Sequence, residues 1–304
     1  MDNILKALLF STFLTISIQK SLDFSESDWP TKCKYGNRQS PIDIKRYSSE
    51  TLKILNASPL KAINYKALNN LKFQLGPDEK TWGFPVVNVE NPGNTVTFTR
   101  DGYENDFELF NIHYHIPSEH RINGKASDAE IHLVHMKKLK DGQNDGDMGN
   151  VLLVIGIMFK IEGSTPDPTW DKLNINKPDT AISNLDLTQW VKLTNPLFFY
   201  DGSLTTPKCD ETVNWIVMPK EVKITQEQFD SLKSSIYKVY PNGNEREIQD
   251  LNGRKIWYYD GQASDFLESM PNFVDNAVDV EKENGGSYLN LILGIIIISF
   301  LMTI

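Results

Sequence analysis

Apolar and polar residues alternate with a period of two in "FNIHYHI" (110–116) and, as far as Leu133, in "EIHLVHM" (130–136). Each therefore reads as a β-strand, with side chains i and i+2 on the same face. "NTVTFTR" (94–100) and "VLLVIGIMFKI" (151–161) are also β-rich, and turn chemistry such as "NPGN", "NGK" and "DGQNDGD" bounds the segments. The period changes clearly to that of a helix once. In "TQEQFDSLKSSIYKV" (225–239), Thr225 and Gln228 have capping-box spacing, and Phe229, Leu232 and Ile236 share one face. Strands dominate, and helices are few and scattered. The pattern predicts a single α+β domain, mixed β with peripheral helices around a large, mainly antiparallel, twisted central sheet, rather than a parallel α/β fold.

Both ends depart from this pattern. "ILKALLFSTFLTISI" (4–18) is an apolar run with a lysine near its start and small residues after it. It reads as a secretory signal peptide over residues 1–21, cleaved after Ser17 or near Ser21. "YLNLILGIIIISFLMTI" (288–304) is shorter than the roughly 20 residues of a spanning helix and has no basic flank. It fits the removable tail of a GPI signal, with "DNA" (275–277) or "NGGS" (284–287) as attachment points, or else a short C-terminal membrane anchor. Between the ends lie the domain, 22–265, and a polar linker, 266–287. On this reading the domain faces outward at the cell surface.

A net charge of −9 and a pI near 5.1 argue against nucleic acid as a partner, because phosphate binding needs a basic face. The two cysteines, Cys33 and Cys209, are too far apart in sequence for a CxxC metal site. In an oxidising compartment they are expected to form one disulfide, with two unpaired thiols as the alternative. Oligomeric state leaves no mark on the sequence.

The candidate chemistry is concentrated in one window. The chain has five histidines, all between His113 and His135. Strand periodicity puts His113 and His115 on one face with Tyr114 opposite, and Glu130 and His132 together on the next strand. If the two strands pair, three imidazoles converge. Zinc takes neutral imidazole at about 2.0–2.1 Å, and three ligands leave a fourth position open for water, which is a catalytic arrangement. A lone H-x-H has a plainer explanation as polar residues on a wet strand face; the further histidine on a second strand favours a metal.

Four collinear segments, "RQSPIDI" (38–44), "HYHIPSEH" (113–120), "AEIHLVH" (129–135) and "GSLTTPKCDETVNWIV" (202–217), closely resemble the signatures of the α-class carbonic anhydrases. The resemblance runs from about Trp29 to about Arg254. It implies a zinc enzyme that hydrates CO2 to bicarbonate, with His113, His115 and His132 as the Zn2+ ligands. Asn111 and Glu130 match residues that accept a ring N–H from a ligand. Thr205 matches the hydroxyl that accepts a hydrogen bond from the attacking hydroxide, and Glu119 the buried carboxylate that orients it. Val134, Val154, Leu204, Val213 and Trp215, with Thr206 beside the site, match the pocket that holds CO2. His120 and His135 match buried scaffold histidines, with Tyr200 as the partner of His120. Cys33 and Cys209 fall where secreted members place a disulfide.

The sequence departs from the family in its route for protons. The position of the relay histidine in the fastest members is Asn94 here, and no sixth histidine exists to replace it. Ile116 replaces a tryptophan after the H-x-H, and "SLDFSESDW" is too short to supply the channel tyrosine. Two other readings of the same resemblance are a catalytically silent binding or adhesion module and a structural zinc protein. The first typically lacks a ligand histidine, and the three kept here with Thr205 and Glu119 favour the enzyme over it; the second needs a fourth nitrogen or sulfur ligand, and none is evident.

Overall fold

The alternation becomes fourteen strands among the described residues of the computed structural model, which are 29–261 apart from 46–51, 75–85, 90–92, 139–149, 176, 178–179 and 239. The apolar runs at the two ends lie outside the described residues. Among the described residues no helix is long and apolar enough to cross a membrane.

In chain order the strands are β1 (Asp43–Ile44), β2 (Leu52–Ile54), β3 (Leu60–Asn64), β4 (Phe73–Gln74), β5 (Val86–Asn88), β6 (Thr95–Arg100) and β7 (Tyr103–His115). They continue with β8 (Arg121–Ile122), β9 (Lys125–Ala126), β10 (Ala129–Lys137), β11 (Leu152–Ile161), β12 (Leu197–Gly202), β13 (Val213–Ile224) and β14 (Ile256–Tyr259). Eleven of them form one sheet in the order β2-β14-β12-β13-β11-β10-β7-β5-β4, with β6 pairing both β7 and β3. Within it, β11 with β13 and β14 with β2 run parallel, and the remaining pairs are antiparallel. The expected single domain around a mainly antiparallel sheet is what forms.

Both faces of the central strands are covered. On β10, Ile131, Leu133 and His135 point to one face, and Glu130, His132 and Val134 to the other; all six are buried. The first face packs with Ile112, Tyr114, Ile155 and Ile157, in one cluster with Leu232 and Ile236 of the capped helix over 226–237. Burying an aliphatic side chain of this size contributes about 1.5–3 kcal/mol, so the face bearing Ile131 and Leu133 fixes the register. The second face is smaller and mixes Val134, Val154, Val213 and Trp215 with polar groups. A polar site therefore sits on a sheet whose opposite face holds the larger core.

Helices α1 (Thr31–Tyr35), α2 (Pro168–Asp171) and α3 (Gln226–Tyr237) lie around the sheet. The expected capping box of α3 is present: Gln228 N–H donates to the Thr225 hydroxyl, and the Gln228 side chain accepts from Thr225 N–H. Gln228 Nε2 also donates to Asp171 Oδ1 at 2.6 Å, joining α3 to α2. Cys33 on α1 is bonded to Cys209, with their Cα atoms 5.2 Å apart. Closing a loop of 176 residues stabilises the fold by about 5 kcal/mol in the chain-entropy picture.

His135 belongs to the scaffold. Its Nδ1 donates to Leu153 O at 3.1 Å, and its Nε2 accepts from the Tyr65 hydroxyl at 2.7 Å. Burial pushes its pKa down to about 4. In the unfolded chain the ring protonates near pH 6.5. Its contribution to stability is therefore complete above pH 6.5 and is lost as pH falls towards 4, at up to about 1.4 kcal/mol per pH unit. Unfolding free energies from urea titrations should fall less steeply over that range in His135→Gln, by up to one proton. An unchanged slope would refute this account of His135.

Candidate metal centre

Two neighbouring strands deliver the three rings. β7 and β10 pair antiparallel, with His113 opposite His132 and His115 opposite Glu130. The ring centroids are 5.1 Å apart for His113 and His115, 5.0 Å for His113 and His132, and 4.5 Å for His115 and His132. One nitrogen from each ring lies within 4.8 Å of the others.

The opposite nitrogen of each ring is tied down. His113 Nδ1 meets Asn111 Oδ1 at 2.7 Å, His115 Nδ1 meets Asn244 O at 3.1 Å, and His132 Nε2 meets Glu130 Oε1 at 2.9 Å. All three partners are acceptors, so those nitrogens carry the protons. The inward nitrogens, Nε2 of His113 and His115 and Nδ1 of His132, then carry lone pairs. His132 Nδ1 and His113 Nε2 lie only 3.1 Å apart. Lone pairs held that close repel unless a cation is shared between them. The donor set fits zinc: three neutral imidazoles with locked tautomers, which no fourth histidine or thiolate joins among the described residues.

The charges nearby fit as well. Burial holds His113 and His115 well below the usual imidazole range, each further disfavoured by the other rings. Burial also lowers His132, against the opposing pull of Glu130. Burial would raise Glu130, but His120 and His132 outweigh it and hold the carboxyl well below its ordinary range. Burial, and then the charge of Glu130, push Glu119 well above its range, while the Thr205 hydroxyl and the Arg246 main chain favour its ionised form. A dication among the rings would ease this accumulation of negative charge.

His120, Glu130 and His132 also cluster within metal-binding distances, but hydrogen bonds account for that group. Glu130 Oε1 accepts from His120 Nδ1 at 2.8 Å and from His132 Nε2, while Oε2 accepts from His120 N–H at 2.9 Å. His120 Nε2 continues to the Tyr200 hydroxyl at 2.6 Å, which meets Ser40 Oγ at 2.9 Å. His120 thus supports Glu130, which supports His132.

The apolar residues singled out in the sequence gather on the same face. Val134, Val154, Val213 and Trp215 form one apolar cluster, with Leu204 packed against it. Trp215 lies edge-on to His120 at 4.7 Å and to His132 at 4.8 Å. Thr205 is buried and hydrogen-bonds Glu119. The carbonyl of the half-buried Thr206 accepts from Cys209 N–H at 2.8 Å. Asn94 is buried too, and its Oδ1 accepts from Lys66 N–H at 2.8 Å. The polar end at the expected relay position is committed to the backbone and offers no proton-accepting base.

Three contributors were not evident from the sequence. Asn244 clamps β7 by donating to Tyr114 O at 2.8 Å and accepting from Ile116 N–H at 2.9 Å, besides holding His115. Arg246 donates its main-chain N–H to Glu119 Oε1 at 3.0 Å. Gly156 makes room for Glu130, since a Cβ there would stand 2.6 Å from Oε1. A glycine inside the strand pattern "VLLVIGIMFKI" was the one available signal of close approach.

The sequence profile of the eukaryotic-type carbonic anhydrases matches residues 24–260. A carbonic anhydrase of Nostoc sp. is 30% identical over 238 residues, covering 74% of this chain and 76% of that protein. Carbonic anhydrase 6 of Mus musculus is 31% identical over 232 residues, covering 69% of each. Among solved structures, carbonic anhydrase Cah3 from Chlamydomonas reinhardtii, in complex with acetazolamide, matches with a TM-score of 0.62 at 27% identity, covering 76% of this chain and 94% of that one.

Proposed function

The chain belongs to the eukaryotic-type carbonic anhydrase family and is a carbonic anhydrase, and on that premise we propose that it hydrates CO2 reversibly to bicarbonate with zinc held by His113, His115 and His132, on the outer face of the cell. The observation that carries the metal assignment is the triad of inward nitrogens with every opposite nitrogen locked to an acceptor. The Cys33–Cys209 disulfide supports an oxidising compartment. The apolar runs at the two ends support secretion and a membrane or GPI anchor.

When bound, zinc supplies Lewis acidity that makes water acidic near pH 7, a value for which carbonic anhydrases are themselves the reference case. The residues of the chain do the rest. Asn111, the Asn244 carbonyl and Glu130 fix the three rings. Glu119 accepts a hydrogen bond from the Thr205 hydroxyl, so the Thr205 oxygen presents lone pairs to the nucleophile and orients it. Val134, Val154, Leu204, Val213 and Trp215 offer CO2 an apolar wall with no charge to bind it.

Stopped-flow CO2 hydration with and without a zinc chelator tests the assignment. Activity should vanish on chelation and return with zinc. Activity that persists in metal-free protein would refute the zinc site, and none in zinc-loaded protein would favour a silent binding module.

Proton export should limit turnover. Every histidine is in the triad or the scaffold, and Asn94 cannot relay. Return of protons at about 10^10 M⁻¹s⁻¹ with a pKa near 7 limits direct release to water to roughly 10^3 s⁻¹. kcat should rise at least about tenfold from dilute to concentrated imidazole buffer, with kcat/KM unchanged. A buffer-independent kcat near 10^6 s⁻¹ would exclude this limit.

A further inference from the structure

Arg246 is 1% exposed, and its guanidinium donates to three oxygens of the N-terminal segment. Nη1 donates to Gln39 Oε1 at 3.0 Å and to Ser40 O at 2.7 Å, and Nη2 donates to Cys33 O at 2.7 Å. The guanidinium carbon lies 5.3 Å from the centre of the Trp29 ring. The side chain thus binds the N-terminal segment that the disulfide fastens to the rest of the domain.

The main chain of Arg246 faces the other way. Its N–H donates to Glu119 Oε1, and two residues earlier the Asn244 carbonyl holds His115. Glu119 in turn bonds the Thr205 hydroxyl. The loop carrying Thr205 is closed by Leu204 N–H to Asp210 O at 3.0 Å and by Cys209 N–H to Thr206 O. Gln39, held by Arg246, donates through Nε2 to Cys209 O at 3.2 Å and to Glu211 Oε1 at 2.9 Å. Arg246 therefore reaches the Thr205 loop twice, by its main chain through Glu119 and by its side chain through Gln39 and Cys33. The first route ends on Thr205 and the second on Cys209 and Glu211, a few residues along the same stretch of chain.

We propose that Arg246 is a positioning residue for CO2 hydration: by anchoring its side chain on Cys33, Gln39 and Ser40 it sets where its own N–H holds the Glu119 carboxylate, and so aligns Thr205. A planar fork with five donors suits three diverging oxygens, which an ammonium satisfies less well. The same closed circuit couples the disulfide to the alignment of Thr205. The inference rests on the carbonic anhydrase reading above, and wild-type protein is the control that separates the two. Wild-type inactivity when loaded with zinc would refute that reading, whereas an active wild type with unaltered variants would refute only the role of Arg246.

The test uses Arg246→Met and Arg246→Lys in the full chain, with zinc content, kcat/KM and kcat for hydration, and the rate of disulfide reduction by dithiothreitol as readouts. Hydration chemistry governs kcat/KM, and proton export governs kcat in dilute buffer. Misalignment of Thr205 should therefore lower kcat/KM about tenfold or more in Arg246→Met, with kcat in dilute buffer changing less than about threefold. Zinc should remain at one per chain, the disulfide should reduce faster, and Arg246→Lys should recover part of kcat/KM. A merely structural role would lower kcat/KM and kcat together in proportion to the folded fraction, and that outcome overturns the proposal. If Arg246→Met does not fold, Arg246→Lys alone decides: kcat/KM equal to wild type overturns the proposal, and a selective loss supports it. The circuit also predicts that wild type with its disulfide reduced loses kcat/KM selectively and that Arg246→Met adds less than twofold to that loss. Independent, multiplicative losses would overturn the coupling.

Discussion

His115→Ala is expected to remove zinc and to lower kcat/KM for CO2 hydration by on the order of 10^3-fold or more, because the nucleophile near neutral pH depends on the metal. His115 is wholly buried, and its Nδ1 is fixed by the Asn244 carbonyl, so no other side chain can take over its inward nitrogen. The two rings that remain form an incomplete site with far weaker affinity for zinc. Binding to the native state alone stabilises it by RT ln(1 + [L]/Kd), about 4 kcal/mol at a thousandfold excess over Kd. Micromolar zinc should therefore raise the melting temperature of metal-stripped wild type and leave that of the variant unmoved. Atomic absorption after dialysis and stopped-flow hydration complete the measurement. A variant that keeps stoichiometric zinc and most of its activity would rule out His115 as a ligand.

Glu130→Gln tests the layer behind the ligands. The Glu130 carboxylate is wholly buried and accepts three N–H groups, two from His120 and one from His132. An amide replaces one acceptor oxygen with a donor, which must face at least one of those N–H groups. Breaking a buried charged network in this way costs about 3–5 kcal/mol. His132 also loses the carboxylate that keeps its proton on Nε2, so zinc affinity should weaken by about 10–100-fold. Denaturant titration of the metal-free protein and zinc competition with a chelator separate the two effects. The carboxyl is held well below its ordinary pKa, so its stabilising contribution is present above the unfolded value near 4.3 and fades as pH falls below it. Stability within 1 kcal/mol of wild type, together with unchanged zinc affinity, would show that Glu130 is a bystander.

Much of the site was legible because it is built from strand periodicity. His113 and His115 must share a face at spacing two, and Glu130 and His132 must share one on the next strand. The resemblance extended this to Asn111, Glu119 and Thr205, and the structure brings those side chains to the same place. The capping box of α3 was equally local, since Thr225 and Gln228 interact within one helical turn. Asn244, Arg246 and the space left by Gly156 were not legible in this way. "NGNER" (242–246) reads as loop chemistry, and its partners lie 127 to 130 positions away for Glu119, Ile116, His115 and Tyr114.

The sequence by itself determined the strands, the capped helix, the face each histidine takes and, through four collinear segments, the family. Those features depend on backbone periodicity and short-range contacts, which spacing along the chain encodes directly. Only the tertiary structure decided which nitrogen of each ring is locked, that Asn94 turns to the Lys66 backbone, and that Arg246 joins the disulfide-linked segment to Glu119. A tautomer or a buried guanidinium is set by whichever oxygen packs against it, and that oxygen comes from chain brought near only when the sheet closes its core.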